Sequence, residues 1–248
     1  MALSPADIDV AILVGGLGSR LRAVVTDRPK PLAEVAGAPF LAHLLTWLER
    51  AGFRRVVLCV GHGGAQVAEQ FGTGYGALSL AYAWEPDELR GTGGALVNAL
   101  PQLCSPIVLA LNGDSFCDAD LAAFLTWYQS LPPDTAAALL LTAVDDTRRY
   151  GRVDSLGNTM AGGTIASFHE KGEKTGPGTI NAGVYLFARP TLAALPGDRV
   201  LSLEREVFPA LIGHGLYGWP GGGRFIDIGT PESYAAADAF FAPHRHSI

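Results

Sequence analysis

The sequence predicts an α/β fold, with a Rossmann-like mixed, mostly parallel sheet that is flanked by helices and carries a strand-rich subdomain. Up to residue 144, apolar runs of strand length alternate with segments whose apolar residues recur at helical spacing. This is the pattern of a parallel sheet covered on both faces. After Asp145, short strand-like segments follow one another between glycine-rich turns. No linker or internal repeat divides the chain, so we expect one domain over residues 1–248, with halves at approximately 1–144 and 145–248.

The first half supplies the alternating elements. Strands are expected at the valine-rich or fully apolar runs 10–14, 54–60, 78–84, 106–111 and 136–144. Helices are expected where apolar residues recur three or four positions apart, at 40–51, 65–71, 91–100 and 119–128. A turn at 36–39 precedes the first of these helices, and the polar stretch 85–90 is expected to be a loop.

The second half has fewer helices. Short strands, separated by glycine-rich turns, are expected at 151–155, 164–169 and 179–187. Two helices, at 203–212 and 232–241, are expected on either side of a strand at 224–228. These elements predict a subdomain built onto the sheet of the first half.

Bulk properties exclude several classes of partner. The net charge is −6, and no basic cluster occurs beyond residues 20–30, so we expect no nucleic-acid partner. The longest apolar runs, such as 136–144, are too short to cross a bilayer, and the N-terminus lacks a basic leader, so we expect no membrane association. The cysteines Cys59, Cys104 and Cys117 are widely spaced. We expect Cys59 and Cys104 to be buried thiols of a reducing compartment, which predicts a cytoplasmic protein.

A glycine-rich turn follows the first predicted strand. Gly15, Gly16 and Gly18 allow the backbone to approach phosphate oxygens closely, and basic residues follow them, among them Arg20, Arg22 and Lys30. The third glycine of a dinucleotide-binding turn is absent, and so is the Gly-Lys-Ser/Thr of a P-loop. A plain strand-to-helix turn remains an alternative. The prolines on both sides of Lys30 favour a phosphate clamp instead, because they fix the backbone that presents the lysine.

Two aspartates are candidates for a metal site. Asp114 comes just after an apolar strand, where open α/β sheets bind ligands. Asp227 lies among apolar residues, and burying a carboxylate there is unfavourable unless it is paired or metal-bound. A turn residue at Asp114 and a buried salt bridge at Asp227 are the alternatives. From the residues alone, the metal interpretation and these alternatives stay open.

Six sequence blocks resemble one family. They are the opening Gly-Gly-x-Gly-x-Arg-Leu with Pro-Lys-Pro at 29–31, Gly-Thr-Gly-Gly-Ala at 91–95, Leu-Asn-Gly-Asp at 111–114, Glu-Lys at 170–171, Asn-Ala-Gly-Val-Tyr at 181–185, and Phe-Ile-Asp-Ile-Gly-Thr-Pro-Glu at 225–232. In this order the blocks resemble the sugar-1-phosphate nucleotidyltransferases, or nucleotide-sugar pyrophosphorylases, over nearly the whole chain. The resemblance implies the nucleotide-diphospho-sugar transferase fold, with a nucleotide-binding first half and a sugar-binding second half.

The resemblance also implies a reaction and its residues. A nucleoside triphosphate would react with a sugar 1-phosphate, releasing pyrophosphate, with Mg²⁺ as cofactor held by Asp114 and Asp227. Arg20, Lys30 and Asp114 are the implied catalytic residues. The implied nucleotide-binding residues are Leu13, Gly15, Gly16, Gly18, Ser19, Glu85, Gly91, Thr92 and Gly93. The implied sugar-phosphate-binding residues are Asn112, Gly151, Glu170, Lys171 and Asn181.

A sequence pattern shared with one subgroup of the family narrows the expected identity of the base and of the sugar. The stretch 14–25, with Arg-Tyr-Gly at 149–151 and Leu-Ser-Leu-Glu-Arg-Glu-Val-Phe at 201–208, looks most like the D-glycero-α-D-manno-heptose-1-phosphate guanylyltransferases. GTP is therefore the expected nucleotide, and Glu85 or Glu88 is able to accept hydrogen bonds from guanine. One departure is Leu89-Arg90, where Pro-Leu is usual. Mannose-1-phosphate guanylyltransferases and short uridylyltransferases for N-acetylmuramate or glucose 1-phosphate are the alternatives. A homodimer remains open.

Two other classes are also considered. A catalytically silent nucleotide-sugar sensor has a similar fold. Retention of the residues implied for catalysis argues against it: Arg20, Lys30, Asp114, Lys171 and Asp227. A metal-dependent glycosyltransferase usually carries Asp-x-Asp at the end of a central strand. Here Asp114 and Asp118 have a different spacing.

Overall fold

The computed structural model describes residues 2–16, 21, 24–85, 88–156, 161–169 and 172–242. Within these ranges the strands are β1 (Asp9–Leu13), β2 (Glu34–Val35), β3 (Ala38–Pro39), β4 (Arg55–Val60), β5 (Gly74–Tyr75), β6 (Leu78–Trp84), β7 (Ile107–Asn112), β8 (Ser115–Cys117), β9 (Ala137–Val144), β10 (Val153–Leu156), β11 (Gly163–Phe168), β12 (Gly178–Ala188), β13 (Leu216–Trp219) and β14 (Phe225–Asp227). The α-helices are α1 (Phe40–Arg50), α2 (Gly64–Phe71), α3 (Gly91–Ala99), α4 (Leu121–Gln129), α5 (Arg189–Ala193), α6 (Phe208–Leu211) and α7 (Pro231–Phe241). A π-helical turn, Leu203–Val207, leads into α6.

Ten strands build one mixed sheet, in the order β10-β11-β13-β9-β12-β7-β1-β4-β6-β5. At its centre β7, β1, β4 and β6 run parallel, and β12 lies antiparallel between β7 and β9. Strands β1, β4, β6, β7, β9, β10 and β13 all run in one direction, which confirms a mixed, mostly parallel sheet. The strands of the second half continue this sheet.

Apolar residues cover both faces of the sheet. Along β1, Val10 and Ile12 belong to one buried cluster and Ala11 to the other, because successive side chains of a strand point to opposite faces. Helices α1, α4 and α7 pack on the first face, and α3 and α6 pack on the second. None of the helices in the described ranges is both long enough and apolar enough to cross a membrane.

The sequence did not predict the two-residue strands β2, β3 and β5, the longer strands β8 and β13, or one helix interruption. The strand β13 contains a glycine and is only four residues long, yet it pairs in parallel with β9. The strand β8 pairs with β14 in a separate two-stranded sheet. The predicted helix at 203–212 is divided into the π-helical turn and α6, where Pro209 has no backbone N–H to donate.

The prediction that Cys104 is buried is wrong. Cys104 is exposed, whereas Cys59 and Cys117 are buried. The backbone N–H of Cys104 donates a hydrogen bond to the carboxylate of Asp9. The peptide group of Cys104 therefore faces inward, although the residue itself is exposed. Burial raises the pKa of both the Cys59 and the Cys117 thiols to about 12, so neither is a thiolate at neutral pH. The reducing, cytoplasmic location stays a prediction.

A bulge in β12 depends on Gly183. The pairing of β12 with β9 shifts between Asn181 and Tyr185, and Gly183 within this bulge has a φ of 76°. A Cβ atom here would lie 2.6 Å from Oγ of Ser115 and 3.0 Å from Nδ2 of Asn112. The side-chain oxygen of Asn181 accepts a hydrogen bond from the N–H of Gly183 at 2.9 Å. The bulge therefore sets the direction of the Asn181 side chain.

Replacing Gly183 by alanine is expected to lower the free energy of unfolding by about 2 to 4 kcal/mol, because backbone strain and overpacking act together. The matched control is Gly213→Ala. Gly213 has a similar φ of 77°, but a Cβ atom there would meet no atom within 4 Å. We expect the control to cost about 1 kcal/mol. Urea unfolding of both variants measures the difference, and equal losses would contradict the packing argument.

Candidate active site

Among the predicted nucleotide-binding residues that the structure describes, Leu13 and Glu85 lie where parallel strands end at one edge of the sheet. Leu13 ends β1 and is in register with Asn112, which ends β7. Glu85 follows the last residue of β6, and Asp114 lies two residues beyond Asn112. In an open α/β sheet, this edge forms the ligand crevice.

The glycine turn packs closely against the end of β4. A Cβ atom on Gly15 would lie 2.6 Å from Oε2 of Glu85 and 2.9 Å from the backbone nitrogen of Gly61, so a larger residue does not fit. A Cβ atom on Gly16 would meet no atom within 4 Å, and Gly16 lines a cavity of about 400 Å³ together with Lys30. The turn thus brings the backbone against Glu85 and opens toward Lys30.

Lys30 pairs with Asp114 at the mouth of this crevice. The Lys30 Nζ atom lies 2.6 Å from Oδ2 of Asp114. The lysine side chain is 12% exposed, and the aspartate side chain is 46% exposed. Pro29 and Pro31 limit φ on both sides of the lysine, and Lys30 begins a 3₁₀ turn that ends at Leu32. A largely buried ammonium is therefore held on a rigid segment.

Asp227 ends β14 beside Asp114. Asp227 is in register with Ser115 of β8, and the N–H of Ile228 donates to the backbone oxygen of Asp114 at 2.9 Å. The Oδ1 atom of Asp227 accepts a hydrogen bond from the N–H of Gly229 at 2.7 Å. A Cβ atom on Gly229 would lie 2.6 Å from this Oδ1 and 3.6 Å from Nζ of Lys30. The lysine ammonium is therefore near both aspartates.

The two aspartates fit a hard divalent cation that is also bound by substrate. Both offer carboxylate oxygens, and Mg²⁺ typically takes one or two carboxylates while phosphates and water complete its octahedron. The described ranges contain no group of three or more Asp, Glu, His or Cys side chains suited to a metal ion. An ion held by Asp114 and Asp227 would take its remaining ligands from phosphate oxygens and water.

Arg149 is a site residue to which the sequence analysis assigned no role. Its Nη2 atom lies 3.4 Å from Oδ2 of Asp227 and 3.3 Å from Oγ1 of Thr230. Its guanidinium carbon lies 5.4 Å from the ring centroid of Tyr150. Burial first, and then the charge of Asp227, raises the pKa of the Tyr150 phenol to about 12. The Arg-Tyr-Gly pattern at 149–151 was the available signal.

The predicted sugar-binding residues Asn112 and Asn181 meet at a buried phenol. The Nδ2 atom of Asn181 donates to the hydroxyl oxygen of Tyr185 at 3.0 Å, and Nδ2 of Asn112 donates to it at 3.4 Å. The Oδ1 atom of Asn112 is buried and accepts no hydrogen bond from the described residues. Gly151 is buried, has a φ of 72°, and follows the turn that carries Arg149.

Glu85 lies beside the segment that leads into α3. Burial raises the pKa of the Glu85 carboxyl, against the opposing effect of a hydrogen bond from the Arg90 N–H at 3.2 Å. Gly91 has a φ of 73°, and the N–H of Gly93 donates to the backbone oxygen of Leu201 at 2.8 Å. This Gly93 donor is thus used within the chain. The hydroxyl oxygen of Thr92 accepts a hydrogen bond from the N–H of Leu203 at 2.8 Å.

Several predicted site residues lie outside the described residues. These are Gly18, Ser19, Arg20, Glu170 and Lys171, together with Arg22. The described residues next to them make contacts with the rest of the chain. Gly16 and Leu21 line one cavity. The N–H of His169 donates a hydrogen bond to the backbone oxygen of Arg152 at 2.8 Å.

Comparison with known proteins identifies similar chains. The family model described as "Nucleotidyl transferase" matches residues 10–243. A mannose-1-phosphate guanylyltransferase of Mycobacterium tuberculosis is 37% identical over 236 residues, which is 94% of this chain and 64% of that protein. The chain thus spans less than two thirds of that relative.

A second relative has nearly the same length. A D-glycero-alpha-D-manno-heptose 1-phosphate guanylyltransferase of Aneurinibacillus thermoaerophilus is 32% identical over 231 residues, covering 93% of this chain and 96% of that protein. The crystal structure of HddC from Yersinia pseudotuberculosis complexed with GMP-PN superposes with a TM-score of 0.81 at 32% identity, covering 94% of this chain and 99% of that one.

Proposed function

Because this chain belongs to the nucleotidyl transferase family, we propose that it transfers a nucleotidyl group from GTP to a sugar 1-phosphate, releasing pyrophosphate. The observation that carries the proposal is the cluster of Lys30, Asp114 and Asp227 at the ligand edge of the sheet. It brings a cation and two carboxylates to the end of a glycine turn. Nucleotidyl transfer needs this combination, because two polyanions must be held together without a side-chain nucleophile.

The proposed sugar is D-glycero-α-D-manno-heptose 1-phosphate. Support comes from the Aneurinibacillus relative, which carries that name and matches this chain over nearly its whole length. Mannose 1-phosphate is the second candidate, because the Mycobacterium relative is more similar in sequence. The proposed nucleotide is GTP, since both relatives are named guanylyltransferases and HddC was crystallised with GMP-PN. Residues 1–144 would mainly bind the nucleotide and residues 145–248 the sugar phosphate.

We propose that Asp114 and Asp227 would hold Mg²⁺, with Lys30 beside them. Nucleotidyl transferases generally use a divalent metal, and Mg²⁺ is the specific ion proposed. When bound, the ion supplies positive charge to the phosphate oxygens. Lys30 would leave Asp114 for a phosphate oxygen, because its ammonium already lies at the crevice. Arg20 would bind the triphosphate, and Lys171 the sugar phosphate.

The bond changes follow from these positions. A phosphate oxygen of the sugar 1-phosphate attacks the α-phosphorus, and the bond from that phosphorus to the bridging oxygen of the β-phosphate breaks. The electron pair leaves with pyrophosphate. Lys30 and Arg20 would neutralise the charge that develops on the transferring and leaving groups.

Glu85 is the proposed guanine reader. Its Oε1 accepts from the Arg90 N–H, and its Oε2 lies against Gly15 at the start of the crevice. A carboxylate accepts two hydrogen bonds from the N1–H and N2 amine of guanine, whereas hypoxanthine offers only the first. Glu85→Gln is therefore expected to reduce the preference for GTP over ITP about tenfold, measured as a ratio of kcat/KM values. An unchanged ratio would exclude Glu85 as the reader.

Pyrophosphate release tests the whole proposal. Purified protein is supplied with GTP, ITP, UTP, CTP, dTTP or ATP, each with heptose, mannose or glucose 1-phosphate, with Mg²⁺ or with EDTA. We expect turnover with GTP and heptose 1-phosphate, and none with EDTA. A clear preference for UTP or dTTP would contradict the guanylyl assignment. No release with any pair would favour the catalytically silent sensor.

A further inference from the structure

A carboxylate from the π-helical turn contacts the predicted nucleotide-binding residue Thr92. Glu204 lies in this turn, and its Oε2 accepts hydrogen bonds from Oγ1 of Thr92 at 3.2 Å and from Oγ of Ser202 at 3.3 Å. The N–H of Leu203 in turn donates to Oγ1 of Thr92 at 2.8 Å. The threonine hydroxyl therefore has a single orientation, with its proton toward Glu204. π-helical turns occur frequently at functional sites.

The π-helical turn also packs toward the predicted sugar-binding residues. The ring of Phe208, which directly follows this turn, lies 4.9 Å from the ring of Tyr185, centroid to centroid. After burial, the negative charge of Glu204 also raises the pKa of the Tyr185 phenol. Tyr185 accepts hydrogen bonds from Asn112 and Asn181. The turn that carries Glu204 therefore contacts Thr92 on the nucleotide side and leads into the residue that packs against Tyr185.

Among the described residues, Glu204 also leaves part of its hydrogen-bonding capacity unused. Its side chain is half-buried, and no lysine, arginine or histidine of the described ranges forms an ion pair with it. Within the same ranges its Oε1 accepts no hydrogen bond, although its Oε2 accepts two. A partly desolvated carboxylate with a free oxygen is stabilised by any donor that reaches it. A sugar hydroxyl is an uncharged donor that suits this position.

We propose that Oε1 of Glu204 accepts a hydrogen bond from a ring hydroxyl of the sugar 1-phosphate, so that Glu204 helps to select the sugar. This inference rests on the proposed function. A narrower role is the alternative, in which Glu204 only orients Thr92 beside the nucleotide. The two roles differ in which substrate is affected when the carboxylate is removed.

Two variants and one matched control separate these roles. Glu204→Gln removes the charge, and Glu204→Ala removes both oxygens. The control is Glu206→Gln, since Glu206 lies in the same turn but pairs with Arg199 and the N–H of Ser202. We expect the Glu204 variants to raise the KM for the sugar 1-phosphate about 10- to 100-fold, because a charge-assisted hydrogen bond is lost. The KM for GTP should change less than about twofold, and the control should resemble the wild type.

Monodeoxy analogues of the accepted sugar 1-phosphate make the test specific. One analogue should lower the wild-type kcat/KM about 10-fold or more, yet have little effect on Glu204→Ala, because the acceptor is already gone. If every analogue affects the variant as strongly as the wild type, or if only the KM for GTP rises, the sugar contact is excluded. A wild-type protein that releases no pyrophosphate with any sugar would instead overturn the proposed function, and this inference with it.

Discussion

Replacing Asp227 by asparagine is expected to lower kcat about 100- to 1,000-fold while the protein stays folded. The variant loses a negative charge from the proposed metal site, and removal of one such preorganised group typically has this effect. Asparagine keeps Oδ1, which accepts the hydrogen bond from Gly229, so the turn after β14 is retained. Initial rates of pyrophosphate release at saturating substrate measure the effect. Thermal unfolding of the variant should differ little from the wild type.

The control for this variant is Asp118→Asn. Asp118 directly follows β8, the strand that pairs with β14. Its carboxylate is about half exposed and lies 3.8 Å from the guanidinium of Arg224. An exposed ion pair at this distance contributes little, so activity should be retained. Near-normal turnover of Asp227→Asn would remove the metal role. Equal losses of turnover in both variants would mean that the activity depends on the net charge of the protein and not on the position of Asp227.

Replacing Lys30 by methionine is expected to lower kcat about 100- to 1,000-fold as well, because a cation is lost from the transition state. Methionine has a similar length and is readily buried, which suits a side chain that is only 12% exposed. Lys30→Arg should not restore full activity, since the planar guanidinium differs in shape from the ammonium that lies 2.6 Å from Asp114. The measurement is the rate of pyrophosphate release.

Arg54→Met is the matched control for the Lys30 variant. Arg54 precedes β4 at the opposite edge of the sheet, is exposed, and donates to the backbone oxygen of Phe53. This control loses the same charge far from the crevice. A Lys30→Met variant with wild-type kcat would exclude Lys30 from the reaction, and a comparable loss in Arg54→Met would point to net charge instead.

The elements of the first half were predictable because their patterns are local. The run at 10–14 became β1, and the helical spacing at 40–51 became α1, each within a residue or two. The strand β13 was missed, because a four-residue segment with a glycine depends on pairing with the distant β9. Cys104 was misplaced, because its apolar neighbours do not reveal that its backbone N–H turns inward to Asp9.

The proximity of Lys30, Asp114 and Asp227 was implied by family resemblance and was not deducible from spacing. Nearly 200 residues separate the first from the last, and β8 must pair with β14 to bring the aspartates together. Arg149 and Glu204 were quoted within motifs but had no assigned role. Their partners, Asp227 and Thr92, are distant in sequence, so only the folded chain reveals the contacts.

The fate of labelled phosphate tests the proposed nucleotidyl transfer most directly. The protein is incubated with heptose 1-phosphate, Mg²⁺ and GTP that carries ³²P at either the α- or the γ-position. We expect the α-label in a GDP-sugar and the γ-label in free pyrophosphate. Label from the γ-position on the sugar, or release of the γ-label as inorganic phosphate without a GDP-sugar, would contradict nucleotidyl transfer.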